Sequence, residues 1–284
     1  MHMPKRFSLS WIFITVSALV GVSAAGANET LSPRVTISRG AINGVCIERS
    51  GHRLVIYGDP QECWKTADMV LFTHSRRDVA WAGRALVEGG AVSVVPEREA
   101  EQFSKVEDFW TSFWDKRFHD YAQQSTKIIT TPLRVDRAVR EGTRLPWQDL
   151  TVHVLDTPGY TRGAVSYFIE VDGLRYGFVG DLVYGDGRLL DLYSLQDEVS
   201  QARIAGYHGY AGRIGDLIAS LRKVAARKPD ILVPARGPVV KEPAAAINRE
   251  PGRAIGGGSS RPESHVVRVA HADLIFRTAS SHRS

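Results

Sequence analysis

Apolar and polar positions alternate from Val35 to Ile56, which predicts two or three strands. Gly40–Ile47 runs into the turn Ser50-Gly51-His52, Leu54–Tyr57 returns from it, and Gly58-Asp59-Pro60 closes the unit as a further turn. Met69-Val70-Leu71-Phe72 is a short apolar run that reads as a buried strand. Val79–Glu88 then has helical spacing, with Ala80, Gly83, Ala85 and Leu86 on or near one face, and Gly89-Gly90 stops it. Val92–Pro96 is the next strand and completes a strand–helix–strand unit. Over residues 97–125, Phe103, Val106, Phe109/Trp110, Phe113/Trp114, Phe118 and Tyr121 recur every three or four positions, which predicts a helix with an aromatic, core-facing stripe.

Ile128–Val135 and Leu150–Leu155 read as strands by their β-branched content. Ala164–Val171 and Leu174–Val179 flank Asp172-Gly173, a hairpin signal. Helices are expected over Leu195–Ile204 and Arg213–Arg227, and a last strand over Asp230–Pro234. Lys241–Ile247 begins like a helix, but the pattern dissolves into Glu250-Pro251-Gly252-Arg253 and Gly256-Gly257-Gly258-Ser259-Ser260, so residues 241–284 are expected to form a flexible or disordered tail. Val266–Ile275 makes a strand only if it finds a partner.

The 284 residues are 43% hydrophobic and 24% charged, ordinary for a globular chain of one domain plus extensions. The formal charge of +5 comes from the ends. Residues 1–27 carry Lys5 and Arg6 and no acid, residues 239–284 carry seven basic and four acidic side chains, and residues 28–238 are left neutral. A neutral core excludes nucleic acid as a partner, because neutralising phosphates needs a clustered positive surface. At the amino terminus, Lys5 and Arg6 precede the apolar run Phe7–Val22 and the small residues Ser23-Ala24-Ala25-Gly26-Ala27. This is the pattern of an export signal over residues 1–27, placing the mature protein in the periplasm or outside the cell with no stable membrane span; the alternative is an uncleaved N-terminal membrane anchor. Cys46 and Cys63 either pair after export or leave Cys46 as a buried strand residue between Val45 and Ile47.

The chemistry gathers where strands end. The run Met69–Phe72 delivers Thr73-His74-Ser75-Arg76-Arg77-Asp78-Val79, which resembles the metal-binding loop Thr-His-x-His-x-Asp-His of the metallo-β-lactamase superfamily, with Arg76 and Val79 at the second and third histidines. Thr157-Pro158-Gly159-Tyr160-Thr161 resembles the superfamily's Thr-Pro-Gly-His-Thr, with Tyr160 at its histidine. Gly180-Asp181 is similar to the Gly-Asp that supplies the metal-bridging carboxylate, and Pro234-Ala235-Arg236-Gly237-Pro238 to Pro-x-His-Gly-Pro, with Arg236 at the last histidine. The resemblance covers residues 40–240. It implies an α+β fold, a four-layer αβ/βα sandwich over residues 28–240 with the site at one edge of its two sheets.

What the resemblance implies about metal is less than the family's full set. His74, Asp78 and Asp181 remain as donors, whereas a zinc ion takes at least three protein ligands and favours nitrogen and sulfur. A guanidinium has no lone pair and stays protonated, so Arg76 and Arg236 instead supply positive charge beside the two carboxylates. The expectation is either no metal or one weakly held divalent ion, zinc, iron or manganese, and not a tight binuclear zinc site. His119, Asp120 and His208 are further donors if the fold brings them near. Two functions compete: a non-catalytic or metal-poor descendant that binds a small-molecule ligand, and an active metal-dependent hydrolase with a mononuclear site on His74, Asp78 and Asp181. The mature exported protein is expected to begin near residue 28; amino-terminal sequencing that returns Met1 would overturn the export reading.

Overall fold

The computed structural model describes residues 28–108, 129–184, 188–189, 214–248 and 267–268. Seven strands form the first sheet, in the order of the chain: β1 (Glu29–Ser32), β2 (Val35–Arg39), β3 (Asn43–Arg49), β4 (His52–Ile56), β5 (Met69–Leu71), β6 (Val92–Pro96) and β7 (Arg137–Val139). The first four are antiparallel, and β4 through β7 are parallel. The second sheet contains β8 (Arg144–Trp147), β9 (Leu150–Asp156), β10 (Val165–Val171), β11 (Leu174–Phe178) and, after a two-residue β12 (Arg188–Leu189), β13 (Ile231–Val233). Its order is β13-β11-β10-β9-β8, with the β11–β13 pair parallel. β12 pairs with β14 (Val267–Arg268), so part of the expected tail does find a strand partner.

Alternation along β10 explains how the sheets stack. Val165, Tyr167, Ile169 and Val171 join the large core between the sheets, while Phe168 points the other way. Helix α1 (Arg77–Glu88) buries Val79, Ala80, Gly83, Leu86 and Val87. After a 3-10 turn (Glu97–Glu99), α2 (Ala100–Ser104) buries Phe103 against Phe72. On the outer face of the second sheet, α3 (Ile214–Ala226) packs Leu217, Leu221 and Val224 against Phe168 and Leu232, and the short α4 (Pro243–Asn248) adds Ala246. The layers therefore run helix, sheet, sheet, helix, the sandwich expected from the sequence. The packed region extends past residue 240 through α4.

Several local expectations need correcting. Ile128–Val135 is not a strand over its described part, residues 129–135. Pro132 has no N–H to donate to a ladder. The segment is held instead by Arg84, which donates to the carbonyls of Thr131 and Pro132, and by Leu133 N–H on the Phe103 carbonyl. The strand forms only at Arg137–Val139. β1 and β8 escaped notice in the sequence; β8 tolerates Pro146 because it lies at the edge of its sheet. Phe103 and Val106 of the aromatic stripe are buried, but the single helix expected over residues 97–125 is interrupted: a 3-10 turn precedes α2, which ends at Ser104 where Lys105 leaves helical geometry (φ −113, ψ 51). Residues 109–125 lie outside the described residues, as does Leu195–Ile204. Cys46 is buried and Cys63 exposed, and both are free thiols; burial pushes the Cys46 thiol up to about 12.

Buried polar side chains tie the sheets together at one edge. Tyr57 Oη donates to the Val233 carbonyl at 2.6 Å and accepts from Gly180 N–H at 3.0 Å. Tyr167 Oη donates to the Phe72 carbonyl at 2.8 Å. Tyr57→Phe removes both Tyr57 bonds, leaving the buried Gly180 amide unpaired and the Val233 carbonyl with only the 3.3 Å bond from Val179 N–H, so it should destabilise the protein by about 1–3 kcal/mol in chemical denaturation without changing the fold. An unchanged unfolding midpoint would refute that role.

Candidate functional site

Four loops meet at this edge, each leaving the C-terminal end of a strand, where mixed α/β architectures place their sites. β5 runs out through Phe72 and Thr73 to His74, β9 into the loop of Tyr160, β11 into Gly180-Asp181, and β13 into Arg236. Arg76 stands at the residue before α1, with no side-chain capping bond, and Asp78 lies in the first turn, where the helix dipole favours a carboxylate. Gly180 has φ +57, and a Cβ there would stand 2.7 Å from Thr73 Oγ1 and 3.3 Å from His74, so a glycine lets the Asp181 turn close on the His74 strand.

The side chains form one charge cluster. The guanidinium of Arg236 donates through Nη1 to Asp181 Oδ2 and through Nη2 to Asp78 Oδ2. Arg76 Nε lies 3.4 Å from Asp78 Oδ1, and its Nη1 lies 3.8 Å from Asp181 Oδ2 and donates to Tyr160 Oη at 2.6 Å. His74 accepts from the Arg76 backbone N–H at Nδ1 (3.3 Å), which puts its proton on Nε2. That Nε2 is buried, 3.1 Å from Asp181 Oδ2, without an aligned hydrogen bond. The structure thus brings His74, Arg76, Asp78, Tyr160, Asp181 and Arg236 together. Val79, at the remaining histidine position, is buried in the α1 core. His119, Asp120 and His208 lie outside the described residues.

Exposure is graded across the cluster. The side chain of Asp181 is 1% exposed and that of Asp78 is 29%. Burial by itself would raise the Asp181 carboxyl; Arg236 first, with His74 and Arg76 after it, outweighs burial and holds the group well below the usual carboxylate range. Burial would likewise lower Arg236, but Asp181 and Asp78 raise it above the ordinary arginine range.

A second layer of residues, not singled out in the sequence, fixes these loops. Asn43 donates from its backbone to the Ala235 carbonyl at 2.7 Å and from Nδ2 to the carbonyls of Pro234 (2.9 Å) and Gly237 (2.8 Å), bracketing Arg236. Buried Glu99 accepts from Ser75 N–H (2.6 Å), Gly163 N–H (3.0 Å) and the Thr161 hydroxyl, so one carboxylate holds both the His74 and the Tyr160 loops. The one signal available for Asn43 was a polar residue opening an apolar strand; Glu99 had none.

The fold is matched by solved structures. A metallo-β-lactamase of Cronobacter sakazakii with an HARLDQ motif, in a variant carrying three substitutions to histidine, superposes with a TM-score of 0.54 at 14% identity, over 89% of this chain and 96% of that one. A subclass B3 metallo-β-lactamase of Bradyrhizobium japonicum gives 0.51 at 18% identity, over 89% and 94%. The chain has the metallo-β-lactamase fold. No family model matches this metallo-β-lactamase-fold chain. A curated relative, the hydroxyacylglutathione hydrolase of Hahella chejuensis, is 35% identical over 75 residues, 26% of this chain and 27% of its own length, so the match spans about a quarter of that protein.

Among the described residues no three His, Cys, Asp or Glu side chains are grouped to hold an ion. Between the two carboxylates stands a guanidinium, which has no electron pair to give. Because the folded-state Asp181 is depressed, its contribution to stability is full above the unfolded carboxylate value of about 3.9 and is lost as pH falls through the lower folded value. Stability should therefore be insensitive to this group above about pH 5 and decline below about pH 4. Asp181→Asn should flatten that acid branch in denaturation curves measured against pH; an unchanged branch would assign it to other carboxylates.

Proposed function

We propose that this metallo-β-lactamase-fold protein is a non-catalytic or metal-poor descendant that binds a small-molecule ligand, with the Arg236 guanidinium in the place of a metal cation. One observation carries the reading: Arg236 donates to both Asp78 and Asp181, the two carboxylates left at metal-ligand positions. Two carboxylates without a counter-charge would cost several kcal/mol each in a buried site, and a fixed arginine offsets this as a bound cation would. The metallo-β-lactamase of Cronobacter sakazakii is described by an HARLDQ motif. His74-Ser75-Arg76-Arg77-Asp78-Val79 keeps the same histidine, arginine and aspartate at the same spacing. The amino-terminal pattern motivates placing this activity outside the cytoplasm.

A second reading is favoured by His74, whose buried Nε2 lacks an aligned partner beside Asp181. In it, a single divalent ion binds His74, Asp78 and Asp181, and Arg236 must leave the carboxylates.

Elemental analysis of protein purified without chelators separates the two. Less than one tenth of an equivalent of zinc, iron or manganese is expected; two equivalents of zinc, or one of any divalent ion with Arg236 displaced, would overturn the proposal. Arg236→Ala, which leaves both carboxylates facing each other, should lose roughly 3–5 kcal/mol of stability. Added zinc should restore part of that loss in the variant and leave the wild type unaffected.

A further inference from the structure

Register places Arg144 of β8, His153 of β9 and Phe168 of β10 in one row across three neighbouring strands of the second sheet. The residues next to them in each strand, among them Leu145, Val152, Val154, Tyr167 and Ile169, are buried between the sheets, so this row faces outward. Helix α3 packs on Phe168 and ends at Ala226, while His153 stays half-buried and Arg144 exposed. Beside the helix end a cleft of about 550 Å3 opens, lined among others by Asp149, His153, Phe168, Glu170, Arg175 and Arg227. Its volume falls in the range of small-molecule sites. Asp149 and Arg175 stand at the starts of β9 and β11, the strand ends away from the loops of Tyr160 and Asp181.

The charges of this cleft do not cancel. Asp149 is held by Arg49, whose Nε donates to it at 2.6 Å. Glu170 lies 3.9 Å from Arg175 Nη2. The last carbonyls of α3, which would repel an anion, are covered as well. That of Val224 accepts from Arg227 N–H, that of Ala225 from Lys228 N–H, and that of Arg227 from Arg175 Nη1 at 2.9 Å. Arg144 and Arg227 form no ion pair with another described residue, and His153 forms no hydrogen bond with one. Burial first, then the charges of Arg144, Arg227 and Arg175, push the His153 imidazole below the ordinary histidine value. Two guanidiniums and an imidazole converge here without a carboxylate of their own. A fork of N–H donors suits the paired oxygens of a phosphate or a carboxylate.

We propose that this cleft binds a small organic oxyanion, a phosphate or a carboxylate, between His153, Arg227 and Arg144. The site lies apart from the Arg236 bridge and does not depend on whether that bridge replaces a metal. A cation is opposed by the two guanidiniums, and a neutral molecule leaves them without a counter-charge. A bound anion favours the charged imidazole, so His153 gains proton affinity in the complex.

Calorimetric titration of the full chain at low salt with phenyl phosphate, benzoate and phenol tests it. The three probes share one ring and differ in charge. At least one anion should bind and phenol should not; the tighter anion names the headgroup. Followed by NMR, the His153 ring-proton signal should titrate at higher pH with that anion bound than without it. Arg227→Gln and Arg144→Gln, both at exposed positions, should each weaken the anion by about three- to thirty-fold, the loss expected of one charge-assisted hydrogen bond. Should one variant fail to fold, the other and the His153 signal decide. The proposal is overturned if neither anion binds, if phenol binds as tightly, if the His153 signal keeps its titration point with the anion bound, or if the arginine variants bind like wild type. Zinc content enters none of these readouts, so they stand or fall apart from the metal-free reading of the Arg236 bridge.

Discussion

Two aspartates from distant parts of the chain, Asp78 and Asp181, share one guanidinium, and the arrangement of this edge of the sandwich follows from that contact. Like-charged carboxylates brought together in a site as dry as that of Asp181 repel and resist ionisation. A cation between them reverses both effects, which is why Asp181 stays ionised far into acid and Arg236 stays charged beyond the ordinary arginine range. A planar fork with two donors suits two carboxylates better than a point charge would. Arg76 completes the balance by reaching Asp78, Asp181 and Tyr160 from the other side.

Such a bridge holds only if both of its ends are rigid, since geometry decides whether a buried ion pair offsets its own desolvation. The rigidity comes from buried polar groups one layer back. Asn43 grips the carbonyls on either side of Arg236, Tyr57 joins β13 to the turn before Asp181, and Glu99 holds the loops of His74 and Tyr160. Each contact crosses between elements far apart in the chain. The site is built as a set of loops pinned at the ends of strands, with the sheets as the frame.

The gradient of exposure gives this frame a direction. Asp181 and His74 are sealed in, while Asp78 reaches a groove that runs beside α1 toward Trp81.

Much of the framework was legible in the chain, because it depends on local periodicity and on turn residues. The alternation of β3, β4 and β10, the helical face of α1 and the Asp172-Gly173 hairpin all follow from spacing that neighbouring residues enforce. The ordered motifs around His74, Tyr160, Asp181 and Arg236 likewise announced which loops to bring together. Periodicity failed at Ile128–Val135, where Pro132 and the grip of Arg84 override β-branched content, and at the edge strands β1 and β8, which are short and weakly patterned. What no local pattern could contain is pairing between residues far apart in the chain. That Arg236 spans two carboxylates and that Asn43 and Glu99 are the clamps behind the loops were decided by tertiary structure alone. Burial and charge geometry exist only once the sheets have stacked.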